Sequence, residues 1–227
     1  MAGETVTMLA ELGLRLEDAG AINFTTAFKL KALDRAQLQL ANMLHNAYLT
    51  DLEVLEEGLD WSGIESTGYD ITGLSSDPVL RGGQGILKVA VSVAGDGDYV
   101  WATKIDLHKI KRVENTFLVG SDANPLWYVF KSYIFVSITT DYTALDGKVL
   151  YLKFPTEITA TNVDPTLNVS LHPLIVSLAE GMCWGMDGKL DRRNTVMKDA
   201  LDQIKALNER YTPAEGVGTQ NYREGRR

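Results

Sequence analysis

The segment from Leu171 to Met186 constrains the fold of this chain more than any other. Pro173 stands in its first turn, where a missing backbone N–H costs nothing. From there Leu174, Ile175, Val176, Leu178, Ala179, Met182, Cys183, Trp184 and Met186 place apolar groups nearly all round a helix. A helix without a polar face is buried, so other elements have to cover it. Gly181 and Gly185 fall on one face and allow a close helix crossing, and Asp187-Gly188 ends the run.

Three other segments have the period to supply that cover. Behind Thr5, Leu9, Leu12 and Leu16 recur at helical spacing among the charges Glu11, Arg15 and Glu17, and Gly20 ends the pattern. A longer helix is expected from a Thr25 N-cap to about Ala47. Its stripe is Leu30, Leu33, Leu40, Leu44 and Tyr48, interrupted at Gln37, with Lys29, Asp34, Arg35, Asn42 and Asn46 mostly off it. The last helix runs from Arg192 to Tyr211, with Val196, Ala200, Ile204, Leu207 and Tyr211 on one side and Thr212-Pro213 as its stop. Together these predict a four-helix bundle formed by the N- and C-terminal helix pairs.

Between residues 50 and 165 the period changes. Ile86 to Val93 is rich in β-branched residues and runs into Gly95-Asp96-Gly97-Asp98, a turn by composition. Trp127–Phe130, Tyr133–Thr139 and Val149–Phe154 read as further strands, with turns at Lys131-Ser132 and Asp146-Gly147 and a stop at Pro155. Gly82–Gly85 and Gly68–Asp77 read as exposed loop. The expected class is therefore α+β. It divides into bundle helices at 1–49, a central β-rich insertion at 50–165, bundle helices at 166–212 and an extended tail at 213–227.

Composition enters where chemistry is asked for. The 227 residues carry 22 basic and 30 acidic side chains, a net −8, which argues against binding phosphate backbones through clustered Lys and Arg. Cys183 is the single cysteine, so an intrachain disulfide and a Cys-based zinc or iron–sulfur site are excluded. His45, His108 and His172 lie far apart. Asp96-Gly97-Asp98 begins like a calcium loop, but the twelfth position is Leu107. Gly82-Gly83-Gln84-Gly85 lacks the Lys and hydroxyl of a phosphate loop, and no Gly-x-Ser-x-Gly elbow occurs. Cys183 with His172 suggests a thiol nucleophile and base, yet Met182, Trp184 and Met186 around the thiol make it a core residue. No catalytic, cofactor-binding or metal residue is nominated.

The start Met1-Ala2-Gly3-Glu4 lacks the basic opening of a secretion signal, and Lys131 splits the most apolar segment, Pro125 to Ile138. The expectation is a soluble protein made in the cytoplasm, with no membrane contact and no use for the glycosylation-like triplets at Asn23 and Asn168. Two polar features stand out instead. Asp51, Glu53, Glu56, Glu57 and Asp60 form an acidic run, either a solvated face or, along a channel, a surface that repels nucleic acid. After Pro213 the chain is polar and Gly-bearing, with Tyr222, Arg223, Arg226 and Arg227 against Glu224. That tail has no apolar stripe of its own, so it reads as a partner-docking segment rather than a frayed end.

With these residues in view, the chain resembles the head-to-tail adaptor proteins of tailed bacteriophages, which form the ring beneath the portal. The opening is similar: a short helix over Thr7–Asp18, then Phe24-Thr25 leading into Lys29 and Leu33-Asp34-Arg35-Ala36-Gln37, then Tyr48-Leu49-Thr50-Asp51-Leu52 in the place of a strand. Pro125–Phe130 resembles the family's proline and aromatic strand, Val149–Pro155 its late strand, and Leu171–Asp187 with Arg192–Tyr211 its paired closing helices. Gly58–Gly85 is longer and richer in glycine than the family pattern. The resemblance implies a structural virion protein of the neck, with neither catalysis nor cofactor. Its partners would be copies of itself in a ring, typically twelve-fold, the portal above, a tail, nozzle or stopper protein below, and DNA passing through the lumen without sequence-specific binding. Portal docking would fall on Tyr222, Arg223, Arg226 and Arg227, and the acids facing the channel would be Asp51, Glu53, Glu56 and Glu57. A different neck component, a stopper or tail terminator, shares this design. A hydrolase with a site assembled from dispersed Asp, Glu and His is the reading from another class.

Overall fold

A computed structural model describes residues 3–18, 20–76, 79–93, 98–106, 120–139 and 145–211. Four helices carry the chain ends: α1 (Glu4–Arg15), α2 (Thr26–Met43), α3 (His172–Met186) and α4 (Leu190–Glu209). The apolar α3 is the hub, packing against α1, α2 and α4. Its Ile175, Val176, Leu178, Ala179 and Cys183 are fully buried. Gly181 and Gly185 do permit a close approach. A Cβ at Gly181 would lie 2.5 Å from the Met197 sulfur of α4, and one at Gly185 would lie 3.0 Å from Arg193 Cδ.

Between α2 and α3 the described residues build two four-stranded sheets. The first orders β1 (Glu53–Asp60), β8 (Leu145–Leu152), β3 (Ile86–Val93) and β4 (Val100–Trp101), all antiparallel. The second orders β2 (Tyr69–Asp70), β7 (Tyr133–Ser137), β6 (Leu126–Phe130) and β5 (Thr103–Lys104), with β5 parallel to β6. The alternation of β-branched residues works as expected. Val89, Val91, Val149 and Tyr151 of the first sheet and Trp127, Ile134 and Val136 of the second share one buried core.

This arrangement overturns the expected four-helix bundle with a central β-rich insertion, although the α+β class stands. The two sheets are substantial and own a separate core, and the helices surround α3 instead of forming a self-contained bundle. The helical core also takes Leu52, Leu80 and Leu152 from the sheet side, with Ile158 and Leu167 from the segment after β8. Periodicity reveals that a helix has an apolar face but not which element will cover it.

Local expectations changed for identifiable reasons. Asp146-Gly147, read as a hairpin turn, lies inside β8, because the Trp61 indole packs onto Gly147 and a Cβ there would stand 2.1 Å from the ring. Tyr48–Leu52, placed as a strand by the resemblance, forms two 3-10 turns, and the strand begins at Glu53. Gly82–Gly85 forms a 3-10 turn whose Gly82 and Gln84 are exposed as expected, while Gly85 is buried, with the Leu80 carbonyl 1.8 Å from where its Cβ would stand. Within Gly68–Asp77, also read as loop, Ile71 and Leu74 are buried in the sheet core.

Polar side chains bind these parts at their joints. Gln37, the interruption in the α2 stripe, is fully buried; its Nε2 donates to the Thr156 carbonyl and its Oε1 accepts from Thr166 N–H, both at 3.0 Å. Asp164 accepts from Thr5 N–H at 3.1 Å, a carboxylate at the α1 N-terminus where the helix dipole favours it. The α2 C-terminus is held twice. Arg81, from the sheet side, donates to the Ala41 and Leu44 carbonyls at 2.5 and 2.6 Å and to Asn46 Oδ1 at 2.8 Å. Asn208 of α4 donates to the Met43 carbonyl at 2.8 Å.

Lys29 was expected off the stripe but is buried, because it answers a buried carboxylate. Asp18 accepts from Ile22, Asn23 and Phe24 N–H at 2.8, 3.0 and 2.9 Å, while Lys29 Nζ stands 3.1 Å from Asp18 Oδ2. The Asn23 N–H above all, then those of Phe24 and Ile22 with the Lys29 ammonium, hold the Asp18 carboxyl far below its ordinary value of 3.8, against the opposing pull of desolvation.

Two outcomes are expected. Arg81→Ala should lower stability by about 3 kcal/mol in urea unfolding, since charge-assisted hydrogen bonds contribute about 1.5–3 kcal/mol each and the helix carbonyls lose their donor. Asp18→Asn should be less stable than wild type at neutral pH. A depressed carboxyl contributes stability above its unfolded pKa and loses it as pH falls toward the folded one, so the deficit should shrink below about pH 4. Denaturant midpoints across an acid series measure this.

Candidate functional site

The sequence nominated two sets of residues, and the structure places one of them. Tyr222, Arg223, Arg226 and Arg227 lie outside the described residues, as do His108 and the Asp96-Gly97 pair. The acidic set falls on one edge of the first sheet. Asp51 is exposed in the 3-10 turn Thr50–Leu52, and β1 follows directly as the edge strand. Strand alternation puts Glu53, Leu55 and Glu57 on the exposed side, and Val54 and Glu56 on the other.

The four acids do not behave alike. Glu56 Oε2 accepts from Ser75 N–H and Ser75 Oγ, each at 2.8 Å, and from the hydroxyl of buried Tyr151 at 3.1 Å. It therefore works as an internal tie between β1, β8 and the Ile71–Ser76 segment. Glu57 Oε1 stands 2.6 Å from Lys148 Nζ on β8 and keeps half of its side chain exposed. Asp51 and Glu53 face solvent. Asp60, at the end of the strand, accepts from the side chain and the backbone N–H of Ser62, and these two bonds lower its pKa. Charges on an edge strand also block pairing with another sheet, which is sufficient structural reason for Glu53 and Glu57.

The face beside this edge mixes charge with aromatic surface. Lys148 lies over the Tyr99 ring at 4.3 Å and Lys88 over the exposed Trp101 ring at 5.7 Å. On the outer face of the second sheet, Tyr128 stacks on Phe135 at 5.1 Å between centroids, beside exposed Phe130 and Tyr133. Among the described residues, neither face carries a nucleophile beside a base.

The remaining reactive groups are held apart. Cys183 and His172 share α3 but sit eleven residues apart, about 16 Å along a helix. His172 Nε2 meets the Leu167 carbonyl at 3.0 Å, and burial pushes the Cys183 thiol up to about 11. His45 caps a 3-10 turn through Nδ1 and stacks on Tyr211. Among the described residues, no three His, Cys, Asp or Glu side chains gather to hold a metal ion, and no helix is long and apolar enough to cross a membrane.

One feature escaped the sequence reading. An open groove of about 410 Å³ lies between α2, α3 and α4, floored by Phe28, Met182, Met186 and Met197 and edged by Lys31, Arg35 and Arg193. The available signal was the recurrence of Met182, Met186 and Met197 beside Lys31 and Arg35 one turn apart. A helix read as buried all round left no reason to seek a surface on it.

No protein-family model matches this chain, and no curated protein matches it.

The geometry of Cys183 makes a direct expectation. A thiol held protonated inside α3 should react with a maleimide or an aromatic disulfide only slowly at mildly alkaline pH, and at the rate of a free thiol once the protein is unfolded. Fast stoichiometric labelling of the native protein would contradict the placement.

Proposed function

We propose that this chain is a structural virion protein, a head-to-tail adaptor whose copies form a ring that joins a portal to a tail and encloses part of the DNA path. The observation that carries the reading is the order of elements. Two helices open the chain and a helix pair closes it. Between them, strands Leu126–Phe130 and Leu145–Leu152 overlap two of the three segments the adaptor resemblance assigns to strands, the third, Tyr48–Leu52, being 3-10 turns. Support also comes from the position of the acids. Asp51 and Glu53 are exposed together along one sheet edge, beside Glu57 and its Lys148 partner, and their charge would repel a passing phosphate backbone and keep it from sticking. Glu56 adds little to such a surface, because its carboxylate is tied to Ser75 and Tyr151.

In this reading the ring has about twelve copies, the portal lies on one side and a tail, nozzle or stopper protein on the other. Residues 213–227 follow α4, and their Tyr222, Arg223, Arg226 and Arg227 make the portal contact. The protein is resident in the virion neck after synthesis in the host cytoplasm, and it uses no cofactor.

The test is docking to purified portal rings. The full chain should bind, and a chain lacking residues 213–227 should lose binding while its far-UV circular dichroism stays the same. Binding that survives the deletion refutes the tail contact, and a full chain that never binds a portal refutes the adaptor reading.

A further inference from the structure

The helical half of the molecule carries two exposed surfaces of complementary shape and polarity. The first is the groove between α2, α3 and α4. Its floor of Met182, Met186 and Met197 is apolar and adaptable, and Met186 is 74% exposed, unusual for the end of an otherwise buried helix. Its rim is cationic, through Lys31, Arg35 and Arg193, and no carboxylate lines it among the described residues. In a chain of net charge −8 this is a locally reversed charge.

The second surface is the outer side of α1. Its inner side, with Met8 and Leu12, is buried. Its outer side shows Val6, Ala10 and Leu14, four residues apart and therefore stacked in one stripe, with Leu14 71% exposed. The carboxylates beside it are Glu4, Glu11 and Glu17, all partly exposed; Glu11 pairs with Arg15 at 2.5 Å, Glu17 lies 3.5 Å from Arg192 of α4, and Glu4 lies 3.7 Å from the His172 ring. The only cation of α1, Arg15, is shared: it donates to Glu11 Oε1 at 2.5 Å and to Ser177 on α3 at 2.9 Å, with Glu180 3.5 Å away, so one guanidinium answers two carboxylates. An apolar stripe with acidic flanks suits an apolar groove with a cationic rim, by the same logic through which amphipathic helices dock in grooves.

Within one molecule the two surfaces cannot meet. At roughly 100° per residue, Met182 and Met186 lie about 140° and 180° round α3 from Ser177, the residue that receives Arg15. The groove and α1 thus occupy opposite sides of the hub helix. We infer that the groove of one copy receives the outer stripe of α1 from a second copy of this chain, with Leu14 seated on the methionine floor and the α1 acids facing Lys31 and Arg35. The basic segment holding Arg223, Arg226 and Arg227 is a poorer occupant, because the rim repels it. A contact between two different patches is heterologous, so it propagates and closes into a ring or grows as a filament. The inference rests on the adaptor reading only for the closure of that ring.

The test uses full-length chain in mass photometry and sedimentation velocity. Wild type should assemble beyond a dimer. Leu14→Ser spoils the stripe, and Lys31→Glu with Arg35→Glu spoils the groove; each should weaken assembly at least about tenfold, the loss expected when a central contact is removed. Mixed together, the two variants should form a one-to-one pair that does not grow, because each retains one working surface. Should the charge-reversed variant fail to fold, Met186→Ser tests the same groove through an already exposed side chain. A monomeric wild type, variants that assemble like wild type, or a mixture that fails to pair would each overturn the contact. Portal-bound rings indifferent to both variants would overturn this contact and leave the adaptor reading intact. The expected assembly pattern without portal binding would do the reverse.

Discussion

The absence of a polar face on α3 governs the rest of the architecture. A buried helix of this kind contributes apolar surface on nearly every side, and the fold consists largely of what covers it: α1 and α2 from the start of the chain, α4 from the end, and Leu52, Leu80 and Leu152 from the sheet side. Glycines at 181 and 185 let Met197 and Arg193 of α4 approach α3 closely. The side left partly open, at Met182 and Met186, is the one that presents an adaptable apolar surface to solvent.

Burial alone does not fix the angle between helices and sheets, since apolar contact is non-directional. Directed bonds do. Arg81 reaches from the sheet region to the last carbonyls of α2, Gln37 reaches from α2 to the segment after β8, and Asp18 gathers the turn between α1 and α2 around Lys29. Each joins segments distant in sequence or turns the chain sharply. The buried charges are tolerated because each is met by several partners at once.

The surface divides along the same line. The sheet half shows an acidic edge, and the helical half shows a cationic groove on one side and an acidic helix on the other. A protein made to join identical neighbours and to surround a polyanion needs this kind of separation, with complementary charge where copies meet and like charge where nucleic acid passes. This is the physical content of the adaptor proposal, and it is independent of any reactive group.

Much of the fold was legible in the chain. The amphipathic periods of α1, α2 and α4, the cap at Thr25, the apolar run of α3 and the β-branched strands β3, β6 and β7 all lie close to where their spacing places them. Local spacing carries this information because it records which side of an element avoids water. The misread residues were those whose role depends on a distant partner. Gly147 is a strand residue because Trp61 lies on it, Lys29 is buried because Asp18 is, and Glu56 is a tie because Tyr151 and Ser75 reach it. The acidic run was visible in composition, but its division into an internal bond, an ion pair and free surface was not. The sequence by itself determined the elements, their apolar faces and the need to bury α3. Only the tertiary structure decided that sheets complete the cover, that polar side chains hold the joints, and that one side of α3 stays open. Those outcomes depend on contacts between residues far apart in the chain, and no local period encodes them.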